Sequence, residues 1–399
     1  MKKIIFTALV AAFATTSFAQ DIVKQMKGQA YSEAVSTLNS ALSGLSAEQK
    51  AKGYNQLVEI SFPDVLKAEQ AIVLANAKKE KVDASIYTSI VNALNDAVKC
   101  DEFDNQPNDK GKVAPKFRKK NAERLAKYRI LIVDAANREG LDPDLKLSFA
   151  NAYISSSESP LFAEDLKDGD KNVGYAHYFA AAAYYDKENW NKTVEHAEKA
   201  HKFDDVNVKA GAETYIENAL RKTLKTKADT LVYIKKLNEI NADKYMAHIA
   251  ECYEQIGEHE LSNKILDDAI AKDPNNKLAY AVKGGNAMNA KNWDEAIKNF
   301  KKTVEIDPSF VQIWFNLGSC TFNKGYDLND QLSVNGRLTL ENDAKVKDVF
   351  KEAMGYYEKV RELDPNREKI PSWPYQLRMV YNALGEKDKA EEISKMLGE

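Results

Sequence analysis

The stretch that decides the fold runs from residue 273 to residue 308 and reads DPNNKLAYAVKGGNAMNAKNWDEAIKNFKKTVEIDP. It opens and closes on Asp-Pro, and the two Asp-Pro pairs are 34 residues apart. Between them, apolar and small residues recur at helical spacing on either side of the polar pair Lys291-Asn292. We therefore predict two antiparallel helices of about a dozen residues each, with the small Ala296 at their closest approach.

The same pattern returns through the C-terminal half of the chain and resembles the 34-residue tetratricopeptide repeat (TPR). Six units cover residues 174–399, although residues 208–242 fit poorly. The matching residues of the three strongest units are Ala250, Tyr253, Gly257, Ala269 and Pro274; Tyr280, Gly284, Ala296, Phe300 and Pro308; and Trp314, Leu317, Gly318, Ala353, Tyr357 and Pro365. The resemblance implies an all-α fold, a helical-repeat (TPR-like) solenoid of antiparallel helix pairs.

The unit that starts at Val311 is longer than the others. Pro308 and Pro365 are 57 residues apart, so about two dozen residues are inserted between its helices. Asn335-Gly336 is a β-hairpin signal, but neither face of such a hairpin would be apolar. We instead predict two lengthened helices that meet at residues 334–339, as a long helical hairpin near 325–347.

The rest of the chain divides into two further segments. Residues 20–173 lack regular prolines but keep helical apolar spacing, which predicts an N-terminal region of degenerate helical repeats. Residues 1–19 combine Lys2-Lys3, an apolar run of ten residues and the small residues Ser17 and Ala19, the pattern of a cleaved signal peptide. Cleavage after Ala19 predicts an exported protein, of the periplasm or secreted, and no later stretch is apolar enough to span a membrane.

Charge and cysteine content exclude several classes of function. The 57 lysines and arginines nearly balance the 60 aspartates and glutamates, so the composition gives no sign of a nucleic-acid partner. The basic cluster from Lys116 to Lys120 is interpreted as a solvated helix face balanced by the acidic stretch 101–109. Three cysteines cannot form a disulfide scaffold, and Cys252 and Cys320 are predicted to pack in the core.

No motif in the sequence predicts an enzyme, a cofactor or a metal site. The phosphate-binding, nucleophile-elbow and zinc-protease patterns are all absent. Asp168, Asp170 and Asn172 resemble the start of a calcium loop, but Val173 and Phe179 stand where that loop needs glycine and glutamate. A surface turn is the better interpretation.

The resemblance to the TPR family also places a binding groove on the first helices of successive units. The predicted peptide-binding residues are Glu251, Glu254, Gln255, Met288, Asn289, Phe315, Ser319, Phe322 and Asn323, with Ala247, Ala281 and Gly285 beside them. The alternative is that Phe315 and Met288 pack beneath neighbouring units. The family's clamp for acidic C-termini is not expected here, because its positions hold Ala247, Glu251 and Gly285.

These features favour a non-catalytic periplasmic scaffold that binds an unknown protein or peptide, in an oligomeric state that the sequence leaves open. The alternative is a glycan- or nutrient-binding helical-repeat protein of the cell envelope. Aromatic side chains exposed together, such as Trp373 and Tyr375, would support that alternative.

Overall fold

The computed structural model describes residues 23–107 and 111–399, which form α-helices joined by turns, loops and three 3-10 helices. The predicted all-α, helical-repeat architecture is confirmed, and within the described ranges no segment forms a β-strand. Two compact units divide at Thr223 and Leu224, inside the repeat that matches the pattern poorly. None of the described helices is both long and apolar enough to cross a bilayer. The predicted signal peptide, residues 1–19, lies outside the described residues.

In the first unit, side-chain hydrogen bonds cap the starts of two long helices. Ser46 and Gln49 form a capping box at the start of the longest helix of this unit, and Asp142 accepts backbone N–H groups just ahead of Pro143. From residue 31 onward, the α-helices of this unit are α1 (Tyr31–Ala41), α2 (Ala47–Lys78), α3 (Thr88–Asp104), α4 (Arg118–Ala136), α5 (Pro143–Glu158), α6 (Val173–Asp186), α7 (Trp190–His201) and α8 (Val206–Thr223).

The second unit contains the best-matching repeats. Its helices are α9 (Lys227–Gln255), α10 (His259–Lys272), α11 (Lys277–Asn289), α12 (Trp293–Ile306), α13 (Val311–Leu332), α14 (Leu340–Leu363), α15 (Trp373–Leu384) and α16 (Lys387–Leu397). Helix α9 is kinked at Asn241, whose φ of −166° and ψ of 90° are not helical. The Asn241 carboxamide oxygen accepts the Lys244 N–H at 3.0 Å, so a new helical segment starts there. That segment is the first helix of the repeat that begins near residue 243.

Small residues of the first helix face large residues of the second in the α11–α12 and α13–α14 pairs. Ala296 is fully buried, as predicted for the contact between α11 and α12. A Cβ added at Gly284 would lie 2.6 Å from the Phe300 ring, and one added at Gly318 would lie 2.8 Å from the Tyr357 ring. These glycines therefore let an aromatic ring of the second helix approach the backbone of the first.

The long unit is a pair of extended helices, with α13 of 22 residues and α14 of 24 residues. They are joined at Asn335-Gly336, where both residues have positive φ (51° and 74°). Val334 and Arg337 exchange two backbone hydrogen bonds of 2.9 and 3.1 Å, so the Asn-Gly signal forms a local turn between helices.

Candidate functional site

An open groove of about 900 Å³ lies between α9 and α11. We call it the α9–α11 groove. Its volume is in the range of known ligand sites. The residues that line it are Ala247, Glu251, Glu254, Gln255, His259, Leu278, Ala281, Val282, Gly285, Asn286, Asn289, Ala290 and Phe310.

Helix α9 supplies the polar side of the groove. Ala247, Glu251, Glu254 and Gln255 are spaced by four, three and one residues, which puts them on one helix face. The Glu251 side chain is 51% exposed and the Glu254 side chain is 19% exposed. Both carboxylates are therefore accessible from the groove, and Glu254 is the more enclosed of the two.

Helix α11 supplies the apolar side and the open space. Leu278, Ala281, Val282 and Gly285 follow one another at helical spacing along one side of the helix. A Cβ at Gly285 would meet no atom within 4 Å, in contrast to its neighbour Gly284, which packs against Phe300. The adjacent glycines thus have different roles, because one allows close helix packing and the other leaves the groove open.

A chain of hydrogen bonds fixes the spacing of the three helices around the groove. The buried Ser262 hydroxyl of α10 donates to the Ala250 carbonyl of α9 at 2.8 Å. The Asn286 side-chain amide of α11 donates to that same hydroxyl at 3.0 Å. Because these polar groups are satisfied inside the protein, the walls of the groove are set before any ligand arrives.

The carboxylates of Glu251 and Glu254 give the groove negative charge. In the part of the chain that the structure describes, no lysine or arginine lines it. Imidazoles are the basic groups near its carboxylates: His259 Nδ1 lies 2.7 Å from Glu254 Oε1, and His248 Nδ1 lies 3.6 Å from Glu251 Oε2. The groove therefore favours positive or neutral polar groups over anions.

Four of the predicted peptide-binding residues come together in this groove: Glu251, Glu254, Gln255 and Asn289. Met288 does not line it. Its side chain is partly buried against the core cluster that contains Ala296 and Phe300. The alternative interpretation, packing beneath a neighbouring helix, therefore describes Met288 better.

The other four predicted residues, on α13, do not line the α9–α11 groove. The Phe315 ring is 5.6 Å from the Tyr357 ring, and the Ser319 hydroxyl is 3.0 Å from the Tyr357 hydroxyl. Asn323 is exposed. Burial raises the pKa of Tyr357 to about 12, consistent with an enclosed position for its ring.

Phe322 requires a correction. Its use as an anchor for a peptide requires an exposed ring, but Phe322 is only 5% exposed. Its ring lies 5.3 Å from the Phe350 ring and 4.8 Å from the Tyr326 ring. Phe350 belongs to α14, beyond the inserted residues near 325–347, so the second helix of this pair covers the Phe322 ring.

The sequence did not predict several residues that line the groove, on α11 and in the loop after α12. Three of them are on the same side of α11 as the predicted neighbours Ala281 and Gly285: Leu278, Val282 and Asn286. Helical spacing could therefore have identified them. Phe310 precedes α13 and reaches the groove from the loop after α12. No periodic signal identifies a loop residue of this kind.

Three other sequence features have structural roles. Asp170 accepts hydrogen bonds from Arg129 and Tyr153 and from the backbone N–H of Val173, so it anchors the turn before α6. Arg118 forms a bidentate ion pair with Asp101, as expected for a basic cluster balanced by acidic residues. Trp373 is fully buried and donates its indole N–H to the Asp364 carbonyl at 2.9 Å.

Two histidines and the three cysteines are buried outside the groove. The Nδ1 atoms of His177 and His196 are 3.1 Å apart between α6 and α7, and burial lowers the pKa of His177 to about 4. The two histidines therefore contact each other across the α6–α7 pair, outside the α9–α11 groove. The three cysteines are buried, in agreement with the core packing predicted for Cys252 and Cys320.

No family model matches the chain, and no curated protein matches it. Similar solved structures include a mutant of MamA, with 18% identity over 54% of this chain and 94% of that one and a TM-score of 0.30. An IFIT1 monomeric mutant with Gppp-AAAA has 16% identity over 79% of this chain and 67% of that one, with a TM-score of 0.39. The TPR2AB domain of yeast Sti1 in complex with pHSP90 has 15% identity over 78% of this chain and 99% of that one, with a TM-score of 0.26.

At these identities and TM-scores, the similar structures say nothing about what this chain binds. The helix boundaries, the 34-residue spacing and the glycine–aromatic contacts come from the chain itself. By these features, the chain has an all-α helical-repeat fold whose helix pairs resemble tetratricopeptide repeats.

Proposed function

We propose that the protein is a non-catalytic scaffold that binds a polypeptide segment in the α9–α11 groove. The observation that carries this proposal is the open groove itself, which combines an apolar side, a polar side and the unfilled space at Gly285. Carboxylate and amide groups can bind the backbone and side chains of an extended segment, while Leu278 and Val282 offer apolar contact. A preformed groove needs little reordering, so we expect micromolar affinity, about −8 kcal/mol.

A binding role is favoured over catalysis by the chemistry of the lining residues. The described residues that line the groove include no serine, cysteine or lysine that could act as a nucleophile. Glu254 and His259 are in contact, but His259 is an exposed side chain at the start of α10 and faces no enclosed reaction site. The groove is suited to recognition rather than to acid–base chemistry.

The glycan-binding alternative loses the support that exposed aromatic residues would have given it. Trp373 lies in the core, and Tyr375 is exposed without it. A nucleic-acid ligand is also disfavoured in this groove, because the carboxylates of Glu251 and Glu254 would repel phosphates. We therefore propose a protein or peptide as the partner.

We also propose that the protein acts outside the cytoplasm, in the periplasm, after removal of residues 1–19. The charged start, the apolar run and the small residues at Ser17 and Ala19 support this location. An intact-mass measurement on protein from the cell envelope tests it. A mature chain starting at Gln20 is expected, and a mass that includes residues 1–19 would contradict the proposal.

The binding function is tested by filling the groove. Replacing Gly285 with Trp adds a large ring to the open space, whereas Asn263→Trp adds the same ring to an exposed position of α10 outside the groove. Crosslinked partners captured from cell-envelope extract should be lost with Gly285→Trp and retained with Asn263→Trp. Equal capture by both variants, with both folded by circular dichroism, would place the binding site elsewhere.

A further inference from the structure

We propose that the α9–α11 groove selects peptide segments in which a lysine or arginine lies beside an apolar side chain. This inference rests on the proposed function and names the chemistry of its ligand. It follows from two properties of the groove that occur side by side: a pair of carboxylates without a permanent cation, and an apolar face that remains accessible to solvent.

The first property sets Glu251 and Glu254 apart from most acidic side chains of the second unit. Many carboxylates of this unit pair with lysine or arginine, as Asp307 does with Lys277 at 2.6 Å and Glu352 does with Lys301 at 2.8 Å. Among the described residues, neither Glu251 nor Glu254 has a lysine or arginine within ion-pair distance. These two carboxylates are therefore available to a cation from a partner.

The positions of the two carboxylates favour one cationic side chain over a diffuse positive surface. Glu251 and Glu254 are three residues apart on α9, so their side chains are neighbours on one helix face. Glu254 is mostly enclosed, and water screens an ion pair there less than at an open surface. An ammonium or guanidinium group between the two would contact both carboxylates.

The second property specifies what lies beside that cation. Leu278 is 50% exposed at the mouth of the groove, and Ala281, Val282 and Phe310 extend the apolar lining. The aliphatic stem of lysine or arginine packs well along such a surface while its head reaches a carboxylate. An adjacent apolar side chain of the peptide would cover Leu278 and occupy the space at Gly285.

The opposite ligand, a peptide whose acidic end enters the groove, has no counter-charge there. A carboxylate brought beside Glu251 and Glu254 would lose water and face like charges, which disfavours binding. The charge pattern of the groove therefore excludes acidic ligands as well as attracting basic ones.

The test begins with unbiased selection of ligands. A library of random peptides, each about a dozen residues long and displayed on phage, is panned against the full protein, and each enriched peptide is then assayed against the Gly285→Trp variant. Peptides that bind the wild type and lose binding to Gly285→Trp occupy the groove. We expect lysine or arginine next to an apolar residue to be enriched among them relative to the unselected library.

The selected peptides are then synthesised and titrated against charge variants at low and moderate salt. Glu251→Gln and Glu254→Gln should each weaken binding by about 3–10-fold, with a larger loss for the more enclosed Glu254. The matched control is Glu260→Gln, because Glu260 is an exposed acidic residue of α10 that does not line the groove. The affinity of this variant for the selected peptides should remain within about twofold of the wild type.

The outcomes separate the two proposals. The inference would be overturned if the peptides that depend on the groove lacked a basic residue. It would also be overturned if the Glu251 and Glu254 variants bound the peptides as tightly as the wild type does. In either case the proposed function, peptide binding in the groove, would stand. Selection that yields no peptide sensitive to Gly285→Trp would overturn the proposed function as well. Enrichment of basic residues together with losses at both glutamates would support both.

Discussion

Gly285 and Ser319 occupy the same position in consecutive repeats, yet their surroundings differ. Gly285 faces open space between α9 and α11, whereas the Ser319 hydroxyl contacts the Tyr357 hydroxyl between α13 and α14. Three residues further on, Met288 is partly buried and Phe322 is almost fully buried. A repeat position therefore does not by itself make a residue a binding residue, because the helix packed against it decides whether it is accessible.

The largest expected effect is a loss of stability in the region around Phe322, where aromatic rings fill the space between α13 and α14. Phe322→Ala removes a ring buried against Phe350 and Tyr326, so it should lower the free energy of unfolding by about 3–5 kcal/mol. Asn323→Ala, one residue away and exposed, should change it by less than about 0.5 kcal/mol. Urea unfolding monitored by circular dichroism measures both. A loss below about 1 kcal/mol for Phe322→Ala would mean that this region is open.

The adjacent glycines of α11 should respond in opposite directions to the same change. Gly284→Ala places a methyl group 2.6 Å from the Phe300 ring, so overpacking should cost about 1–3 kcal/mol. Gly285→Ala meets no neighbour and should stabilise the helix by up to about 1 kcal/mol through propensity alone. Thermal and urea unfolding of the two variants provide the comparison. Equal destabilisation would show that Gly285 does not face open space.

The end of the inserted hairpin should matter least to the groove. Replacing residues 328–345 with a short glycine-rich loop removes the partly buried Leu328, Leu332 and Leu338 but keeps Phe350 and its contacts. The affinity of a groove-binding peptide should stay within about twofold of the wild type, since none of these residues lines the groove. Fluorescence anisotropy with a labelled peptide measures it. A loss of about tenfold or more would mean that the hairpin takes part in binding.

The sequence predicted the features that depend on local periodicity. The Asp-Pro spacing indicated the helix pair from Lys277 to Ile306, and the resemblance to the repeat family placed Glu251, Gln255 and Asn289 on a common groove. These predictions succeeded because helical spacing decides which residues share a face. They needed no knowledge of the partner helix.

The residues that the sequence misplaced are those whose exposure depends on distant segments. Phe322 is covered by Phe350, which lies 28 positions later and beyond the insertion. The sequence left open whether Trp373 is exposed, and its indole N–H is bonded to the Asp364 carbonyl in the core. Phe310 reaches the groove from a loop. Such contacts depend on how the helix pairs stack, which periodicity does not encode.

The central claim is that the open α9–α11 groove binds a polypeptide, whereas the region around Phe322 between α13 and α14 does not. Asn289 and Asn323 occupy the same position in consecutive repeats and both are exposed, but only Asn289 lines the α9–α11 groove. The most direct test replaces each in turn with a photo-crosslinking phenylalanine derivative and irradiates the protein in cell-envelope extract. We expect a specific crosslinked product from position 289 that disappears in the Gly285→Trp background, and none from position 323. A product from position 323 alone, or equal products from both positions that Gly285→Trp leaves intact, would contradict the account.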